Sequence, residues 1–342
     1  MSELLVLEIE NKEWSQIVEQ CIQYDFYHTR AYHLLETKNR PVLFAMKTEG
    51  IVLAFPLIIR AIPNSEDFDC TSAYGYCGPI SNVNLEELPF NVISEFHSNL
   101  KKYFLEHNII SVFSRLHPLI ATGHFFNNFG TKIDLNKTVA IDLQLTADEQ
   151  RKQYRKSNKS ELNQLRRKGY EVVVAQNEDE IDAFIAIYTE TMHRVNAAPM
   201  YFFERDYFYN FLKSKDFSSK LLIAKFEGKI IAGAIFTITN GIMQYHLAGT
   251  TEEFIKVTPM KLVLDEARLL GNELKLKYLH LGGGVGGSDE DPLFRFKSGF
   301  SNHLCKYQVW QLIANQEKYD DLVKAKGLEN SSNTFFPLYR LS

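Results

Sequence analysis

The sequence has few cysteines and no long apolar run. Four cysteines occur in 342 residues, and none lies at a CxxC or Cys/His spacing typical of a metal site: Cys21, Cys70, Cys77 and Cys305. We expect free thiols of a reducing cytoplasm rather than a disulfide framework. The longest apolar run, 51–59, contains Pro56 and is far shorter than the ~20 residues of a membrane helix. The sequence therefore predicts no disulfide scaffold, no metal site and no integral membrane segment.

The sequence also has no excess of positive charge. The net charge is −4, which argues against a general nucleic-acid binder, although it leaves room for a local basic patch. The N-terminus, MSELLVLEIENKEW, carries acids where a signal peptide has a basic region, so we expect no signal peptide.

Two similar strand pairs point to a repeated domain. Residues 42–59 predict a hairpin about Glu49-Gly50, and residues 220–239 predict another about Glu227-Gly228. Each hairpin precedes an amphipathic helix (91–107 and 259–270) and then a buried strand (109–113 and 278–281). A chain of this length usually exceeds one core, so we predict two α/β lobes with mixed sheets.

Two further segments predict helices. Residues 14–35 are typical of one helix with aromatic side chains. Residues 151–168, RKQYRKSNKSELNQLRRK, hold eight Lys/Arg and one acid. This basic segment has two interpretations, a solvated connecting helix or an anion-facing edge for phosphate or RNA. The outward side chains on this helix are predicted to be Arg151, Arg155, Lys159 and Arg166.

Residues 278–300 form the densest motif of the chain. A short strand, YLHL, leads into five glycines within six positions: Gly282, Gly283, Gly284, Gly286 and Gly287. Glycines allow main chain to approach a ligand closely. An acidic step and the segment FRFKSGF follow, with Lys297 between Phe296 and Phe300. A lysine between aromatic anchors indicates a positioned charge. The alternative is a lysine that pins the loop by pairing with a carboxylate of the acidic step.

These motifs carry a resemblance. LHLGGGVGGSDEDPLFRFKSGF is similar to the C-terminal signature of the FemAB/FemX family, and DFDCTSAYGYCGP resembles the N-terminal loop of that family. YDFYHTRAYHLL looks like the opening helix of relatives found with polysaccharide genes. The resemblance implies two tandem GNAT-like α/β domains around a shared cleft. We expect an N-terminal domain at 1–146, with the tail 316–342 packed back on it, and a C-terminal domain at 147–315.

The same resemblance implies transfer of an acyl or aminoacyl group to an amine. The acceptor would be a cell-envelope precursor, as in peptidoglycan-bridge synthesis of the cell wall, or an amino sugar of a surface polysaccharide. Two alternatives stay open: an acetyl-CoA-dependent GNAT N-acetyltransferase, like the BioF2-like relatives, and a non-catalytic GNAT-like ligand-binding module. We expect no tightly bound cofactor and a donor that is aminoacyl-tRNA or acyl-CoA, with tRNA as a candidate partner. The expected location is the bacterial cytoplasm, with the inner membrane face as a peripheral site.

The candidate site residues follow from the motifs. The resemblance implies that Lys297 lies near the reacting carbonyl and that Tyr245 lies on the active-site strand. His246 is the candidate general base. The candidate substrate-binding residues are Asp69, Tyr74, Tyr76, Arg194, Tyr201, Gly283, Gly284 and Arg295. The turn before Pro259 has one glycine and two acids, and it lacks the R/Q-x-x-G-x-G/A motif with which GNAT enzymes hold the CoA pyrophosphate.

Overall fold

A computed structural model describes residues 2–36, 38–285 and 288–341. The chain forms two compact units, Met1–Leu135 with Lys306–Ser342 (unit 1), and Asn136–Cys305 (unit 2). Each unit has a mixed sheet with helices packed against it, so the predicted α/β class is confirmed.

Runs of strands are separated by helices along the chain. The strands are β1 Leu5–Glu8, β2 Arg40–Thr48, β3 Ile51–Ala61, β4 Phe68–Thr71, β5 Ile80–Ser81, β6 Ile109–Arg115, β7 Thr131–Asp142, β8 Glu171–Val174, β9 Ser218–Phe226, β10 Lys229–Thr239, β11 Ile242–Thr250, β12 Tyr278–Gly282 and β13 His303–Ile313. The helices are α1 Glu13–Gln20, α2 Arg30–His33, α3 Phe90–Glu106, α4 Ala147–Lys152, α5 Lys156–Arg167, α6 Glu178–Arg194, α7 Arg205–Leu212, α8 Met260–Glu273, α9 Pro292–Lys297 and α10 Gln316–Ala325.

The sheet of unit 1 has the order β1-β2-β3-β4-β6-β13, with β5 paired to β3. Its β4–β6 pair is parallel, and the other pairs along this path are antiparallel. β2 and β3 are almost continuously buried, as their apolar sequences predict. The core of the unit is aromatic, with Trp14, Phe44, Phe55, Phe96 and Trp310 fully buried.

The sheet of unit 2 has the order β7-β12-β11-β10-β9-β8. Its β11–β12 pair is parallel, whereas β10 is antiparallel to both β9 and β11. α6 packs against β10 and β11, and α8 packs against β9, β10 and β12. Each unit therefore contains an antiparallel run that ends in one parallel pair.

The outer neighbour of each parallel pair lies far from that pair in the sequence. β7 follows β6 in sequence, yet its last residues pair antiparallel with β12 of unit 2. β13 follows β12, yet its Val309–Ile313 stretch pairs antiparallel with β6 of unit 1. The two strands thus cover the free side of β12 and of β6, which would otherwise be sheet edges.

The two hairpins have the same turn. Glu49 and Gly50 have φ of 50° and 79°, and Glu227 and Gly228 have φ of 49° and 79°. Two consecutive positive φ values make a type I′ turn, the connection that matches the twist of paired strands. Both predicted hairpins are confirmed, with bounds of β2–β3 and β9–β10.

The two long helices predicted at 14–35 and 151–168 are wrong in extent. α1 ends at Gln20, Cys21 is extended, and the Asp25 carboxylate then caps a 3-10 turn at Phe26–His28. In the basic segment, α4 and α5 are separate because Arg155 has an extended backbone. Capping side chains and single extended residues end helices that a pattern of apolar residues alone would continue.

The C-terminal tail packs on unit 1. Tyr319 of α10 and Tyr339 join a small apolar cluster with Ile62 and Ile110. The Tyr339 hydroxyl donates to the Asp69 carboxylate over 3.2 Å, and the Arg340 guanidinium also donates to that carboxylate. The last residues of the chain therefore hold strand β4, which carries Asp69.

The described part of the chain lacks two kinds of feature. None of its helices has the length and apolar content needed to cross a bilayer. Within residues 2–36, 38–285 and 288–341, no three His, Cys, Asp or Glu side chains are grouped as metal ligands.

Candidate functional site

The candidate site of unit 2 lies where β11 and β12 stop pairing. Their last paired residues in the described chain are Gln244 and His280, although β11 continues to Thr250. Opposite β10, the partners shift from Leu247 to Tyr245, so His246 is the extra residue of a β-bulge. A bulge bends its strand. The residues just beyond the last parallel pair therefore line a gap between the two strand ends.

Helix α9 carries Lys297 to this gap. The Asp291 carboxylate caps the helix, because one oxygen accepts from the Phe294 N–H over 2.8 Å. Its other oxygen accepts from the Val285 N–H over 3.2 Å, which ties the glycine loop to the helix. Pro292 occupies the first turn, where its missing N–H costs nothing. Phe294 and Phe300 are buried and anchor the segment in the core of unit 2.

Lys297 is a buried lysine with a backbone hydrogen-bond partner. Its side chain is only 7% exposed, and its Nζ donates to the Gly283 carbonyl oxygen over 2.7 Å. The same nitrogen lies 5.6 Å from the centroid of the Tyr245 ring. The structure thus brings together three residues that the sequence proposed separately: Lys297, Tyr245 and Gly283.

The environment of Lys297 changes its acidity. Burial lowers the pKa of Lys297 to about 7, while the Asp291 carboxylate acts in the opposite direction. A lysine with such a pKa exchanges a proton near neutral pH, which is a property of catalytic groups. The two other carboxylates of the acidic step have different partners: Asp289 pairs with Lys137 at 2.8 Å, and Glu290 pairs with Arg295 at 3.2 Å.

Close approach explains the glycine at position 284. A Cβ on Gly284 would lie 2.2 Å from the Asp291 Oδ1, so a side chain there would displace the cap of α9. Gly282 has a φ of 75°, a conformation that L side chains rarely adopt. The predicted positions Gly286 and Gly287 lie outside the described residues.

The basic segment braces α9. Arg155 donates from Nη1 to the Arg295 carbonyl over 2.7 Å and from Nη2 to the Ser298 hydroxyl over 2.8 Å. These contacts add to the hydrogen bond that the Ser298 hydroxyl donates to the Arg295 carbonyl over 3.3 Å at the C-terminal end of α9. The exposed Arg295 side chain, predicted to bind substrate, contacts Glu290.

The basic side chains predicted to point outward do reach solvent, because Arg155 and Arg166 are exposed and Arg151 and Lys159 are half-buried, but each also has a partner within the protein. Arg166 pairs with the buried Asp265 carboxylate at 2.8 Å, and Arg151 pairs with the same carboxylate at 3.3 Å. Arg155 braces α9, and the Lys159 ammonium donates to the Lys152 carbonyl over 2.9 Å. A buried carboxylate attracts cations that a linear pattern would leave in solvent.

Tyr245 and His246 have different environments although they are adjacent. Burial raises the pKa of Tyr245 well above its ordinary value, so its hydroxyl stays protonated at neutral pH. The His246 ring stacks on Phe211, with centroids 4.8 Å apart and planes at 9°. Burial lowers the pKa of His246 to about 3, which makes the imidazole a weak base.

Arg194 and Tyr201 lie on and just after α6. The Arg194 guanidinium is 3.4 Å from the Thr191 hydroxyl and 3.8 Å from the Glu190 carboxylate. Tyr201 belongs to the 3-10 turn Pro199–Tyr201, and its carbonyl accepts from the Tyr188 hydroxyl over 2.9 Å. Their predicted role in substrate binding stays a prediction.

The three candidate residues of unit 1 differ in exposure. Asp69 is fully buried and accepts from Arg60 over 2.8 Å as well as from the C-terminal tail. Tyr74 is 47% exposed, and its ring lies 5.6 Å from the guanidinium carbon of Arg115. The Tyr76 ring packs edge-on against Tyr27, His117 and Tyr307.

A line of three buried polar side chains, Thr138, His280 and Gln244, lies beside the gap and was not predicted from the sequence. His280 lies between Gln244 and Thr138, with its Nδ1 2.6 Å from Gln244 Oε1 and its Nε2 2.8 Å from Thr138 Oγ1. All three side chains are at most 2% exposed. A histidine and a glutamine at adjacent strand positions among apolar residues could have signalled this contact.

The N-terminus of α8, where GNAT enzymes hold the CoA pyrophosphate, faces a carboxylate. The Glu161 carboxylate accepts from the Thr258 hydroxyl over 3.1 Å and pairs with the Lys261 ammonium at 2.5 Å. Glu252 and Glu253 open the 3-10 turn that precedes this helix. Negative charge beside a helix N-terminus weakens the attraction of that N-terminus for a phosphate group.

Comparison with known proteins agrees with this architecture. Residues 150–298 match the acetyltransferase (GNAT) domain family. FemX is 13% identical with a TM-score of 0.70, over 92% of this chain and 99% of FemX. L-PGS from Bacillus licheniformis is 14% identical with a TM-score of 0.58, over 89% of this chain and 92% of that chain. A tandem GNAT protein from the clavulanic acid biosynthesis pathway is 10% identical with a TM-score of 0.53, over 92% and 99%.

No curated protein matches the sequence. The structural matches nevertheless extend over both units of the chain. The chain therefore has the tandem GNAT fold of FemX, and the resemblance to the FemAB/FemX family is confirmed at the level of the fold.

Proposed function

We propose that this chain, which has the FemX fold, is an N-acyltransferase that moves an acyl or aminoacyl group onto an amine. The single observation that carries the proposal is Lys297, a buried lysine whose Nζ faces the gap between β11 and β12 and contacts the Gly283 carbonyl. A structural lysine is normally exposed or paired with a carboxylate, because burying an unpaired ammonium is costly.

The proposed reaction is aminolysis of an activated carbonyl. The nitrogen of the acceptor forms a C–N bond with the carbonyl carbon, and the C–O bond of an ester donor or the C–S bond of a thioester donor breaks. The proton lost by the amine leaves with the departing alkoxide or thiolate. Lys297 donates a hydrogen bond to the carbonyl oxygen as negative charge develops there, and this contact is stronger in the transition state than in the ground state.

The favoured donor is an aminoacyl ester, and in cells this is aminoacyl-tRNA. The carboxylates at the N-terminus of α8 argue against the pyrophosphate of CoA at that position. Six cations of the basic segment are exposed. Arg155 is engaged by α9 and Arg166 by Asp265, which leaves Lys152, Lys156, Arg167 and Lys168. They provide a short basic edge for RNA. Acyl-CoA is the second candidate donor, because residues 150–298 match the GNAT acetyltransferase domain.

The proposed acceptor is an amine of a cell-envelope precursor or of a surface-polysaccharide amino sugar. The similarity to FemX and L-PGS supports an envelope acceptor by analogy of fold. Tyr74 and Tyr76 are the proposed sugar-stacking residues, since aromatic rings present flat apolar faces to sugar rings. The proposed location is the bacterial cytoplasm, with peripheral association at the inner membrane face.

One matched experiment tests this function. The purified chain and its Lys297→Met variant are incubated with charged tRNA or with acyl-CoA thioesters, over a panel of muropeptide and amino-sugar acceptors. Products with a new amide bond, formed by the wild type and far more slowly by the variant, support the proposal. Tight binding of an acceptor without turnover by any donor would instead identify a non-catalytic binding module.

A further inference from the structure

Three buried side chains cross three neighbouring strands at the base of the gap. Thr138 lies on β7, His280 on β12 and Gln244 on β11. The line follows the last parallel pair of the sheet, because Gln244 is the direct partner of His280. A buried polar network of this kind fixes the relative positions of its strands when its members satisfy one another.

The hydrogen bonds of this line have a defined direction. The Gln244 Nε2 donates to the Tyr245 carbonyl over 3.2 Å, which leaves its Oε1 to accept from His280 Nδ1–H. In the neutral imidazole the other nitrogen, Nε2, is then an acceptor. The Thr138 hydroxyl therefore donates to His280 Nε2.

The Thr138–His280–Gln244 line touches both sides of the space around the Lys297 amine. We call these sides the Tyr245 wall, on β11, and the Gly283 wall, after β12. On the β11 side, Gln244 precedes and contacts Tyr245, whose ring centroid lies 5.6 Å from the Lys297 Nζ. On the β12 side, a Cβ placed on Gly283 would lie 3.7 Å from the Thr138 methyl carbon. The Gly283 carbonyl is the acceptor for Lys297. The distance between the walls therefore depends on the line that connects their strands.

We propose that His280, held between Thr138 and Gln244, is a positioning residue for Lys297. It keeps the Tyr245 wall and the Gly283 wall at the spacing that encloses the Lys297 amine. His280 itself exchanges no proton with substrate. The inference rests on the proposed function only in assigning Lys297 to the reaction, since the enclosure of the amine is measurable without substrate.

The test is an NMR titration of the lysine Cε signals in the full chain, labelled with carbon-13 lysine. The Lys297 signal is identified by its absence in Lys297→Met. Thr138→Val removes the hydroxyl donor at nearly constant volume, and Gln244→Met removes the acceptor at the other end. The matched control is Thr237→Val, which changes a buried β10 threonine whose hydroxyl has no partner among the described residues.

We expect the midpoint of the Lys297 titration to rise by about one unit or more in Thr138→Val and Gln244→Met, because a looser gap admits water. The Thr237→Val control should titrate as the wild type does. In turnover assays, Thr138→Val should lower kcat about tenfold with little change in KM. A wild-type midpoint in Thr138→Val and Gln244→Met, together with a reduced Tm, would overturn the proposal and leave the line with a merely structural role. A wild type without turnover refutes the proposed function, while the titration still decides the role of His280.

Discussion

The Lys297 Nζ donates to the Gly283 carbonyl oxygen over 2.7 Å, from the end of α9 to the first residue after β12. Lys297→Met preserves most of the side-chain volume and removes this donor. We expect turnover to fall by ~10²–10³, the usual effect of losing one donor to a developing oxyanion. Lys297→Arg should restore little activity, because a planar fork does not replace a compact ammonium. Steady-state kinetics and thermal melting of the same preparations check this. A destabilised variant with wild-type kcat would contradict the catalytic role.

The lowered pKa of Lys297 predicts a pH-dependent stability. In the unfolded chain lysine titrates near 10.4, whereas burial lowers the pKa of Lys297 to about 7 in the folded chain. Between these values the unfolded state binds the extra proton, so the free energy of unfolding rises with pH across that window. Relative to Lys297→Met, the wild type should gain on the order of 2–4 kcal/mol between pH 7 and pH 10. Urea denaturation of both proteins at the two pH values measures this difference, which should vanish if Lys297 titrates as an ordinary lysine.

Arg166 and Arg167 of α5 are adjacent, but we expect a structural role for Arg166 and RNA binding by Arg167. Arg166→Glu would place a carboxylate against the buried Asp265, at a cost on the order of 2–4 kcal/mol. The exposed Arg167 donates to the Asn163 carbonyl within its own helix, so Arg167→Glu should change stability by less than about 0.5 kcal/mol. If tRNA is the donor, Arg167→Glu and Lys156→Glu should raise its KM and weaken the salt dependence of binding. Equal KM values for wild type and both exposed variants would argue against an RNA edge here.

Glu161 provides a test of the donor. Its carboxylate lies against Thr258 and Lys261 at the N-terminus of α8. Because like charges repel, the wild type should bind CoA weakly, and Glu161→Gln should bind it several-fold more tightly, within the range of helix-dipole effects. Titration calorimetry measures the Kd of CoA and of dephospho-CoA for both proteins. Tight binding of CoA by the wild type would make acyl-CoA the favoured donor instead.

Asp69 distinguishes stability from substrate binding in unit 1. Its buried carboxylate accepts from Arg60, Tyr339 and Arg340. Asp69→Asn leaves the half-buried Arg60 and Arg340 guanidinium groups without a countercharge, so the free energy of unfolding should fall by about 3 kcal/mol. Tyr339→Phe removes one hydrogen-bonding hydroxyl and should cost only about 1 kcal/mol. Urea denaturation ranks the two variants. A stable Asp69→Asn variant with a raised acceptor KM would support a substrate-binding role.

Local patterns were sufficient for the elements whose geometry is set by neighbouring residues. The turns at Glu49-Gly50 and Glu227-Gly228 were predictable because only certain residues tolerate two positive φ values in succession. α3 and α8 were predictable from their apolar faces. The polar first half of β7 hid that strand, since its alternation of exposed residues resembles a loop.

The site was less predictable because its contacts join distant parts of the chain. The motif singled out Lys297, but its partner Gly283 and the low pKa follow from burial, which no spacing reveals. The line through His280 depends on the pairing of β7, β12 and β11. Likewise, the internal pairing of Arg166 follows from a carboxylate 99 positions later in the sequence.

The pairing of β7 with β12 and of β13 with β6 determines which unit can complete its sheet first during translation. Unit 1 lacks the neighbour of β6 until the ribosome has produced the whole of unit 2 and then β13. At ordinary elongation rates this delay is on the order of tens of seconds. Unit 1 is therefore synthesised first, but its sheet is completed last. During that interval β6 is an unpaired sheet edge, whereas β7, the strand that pairs with β12 of unit 2, has already been synthesised when β12 is made.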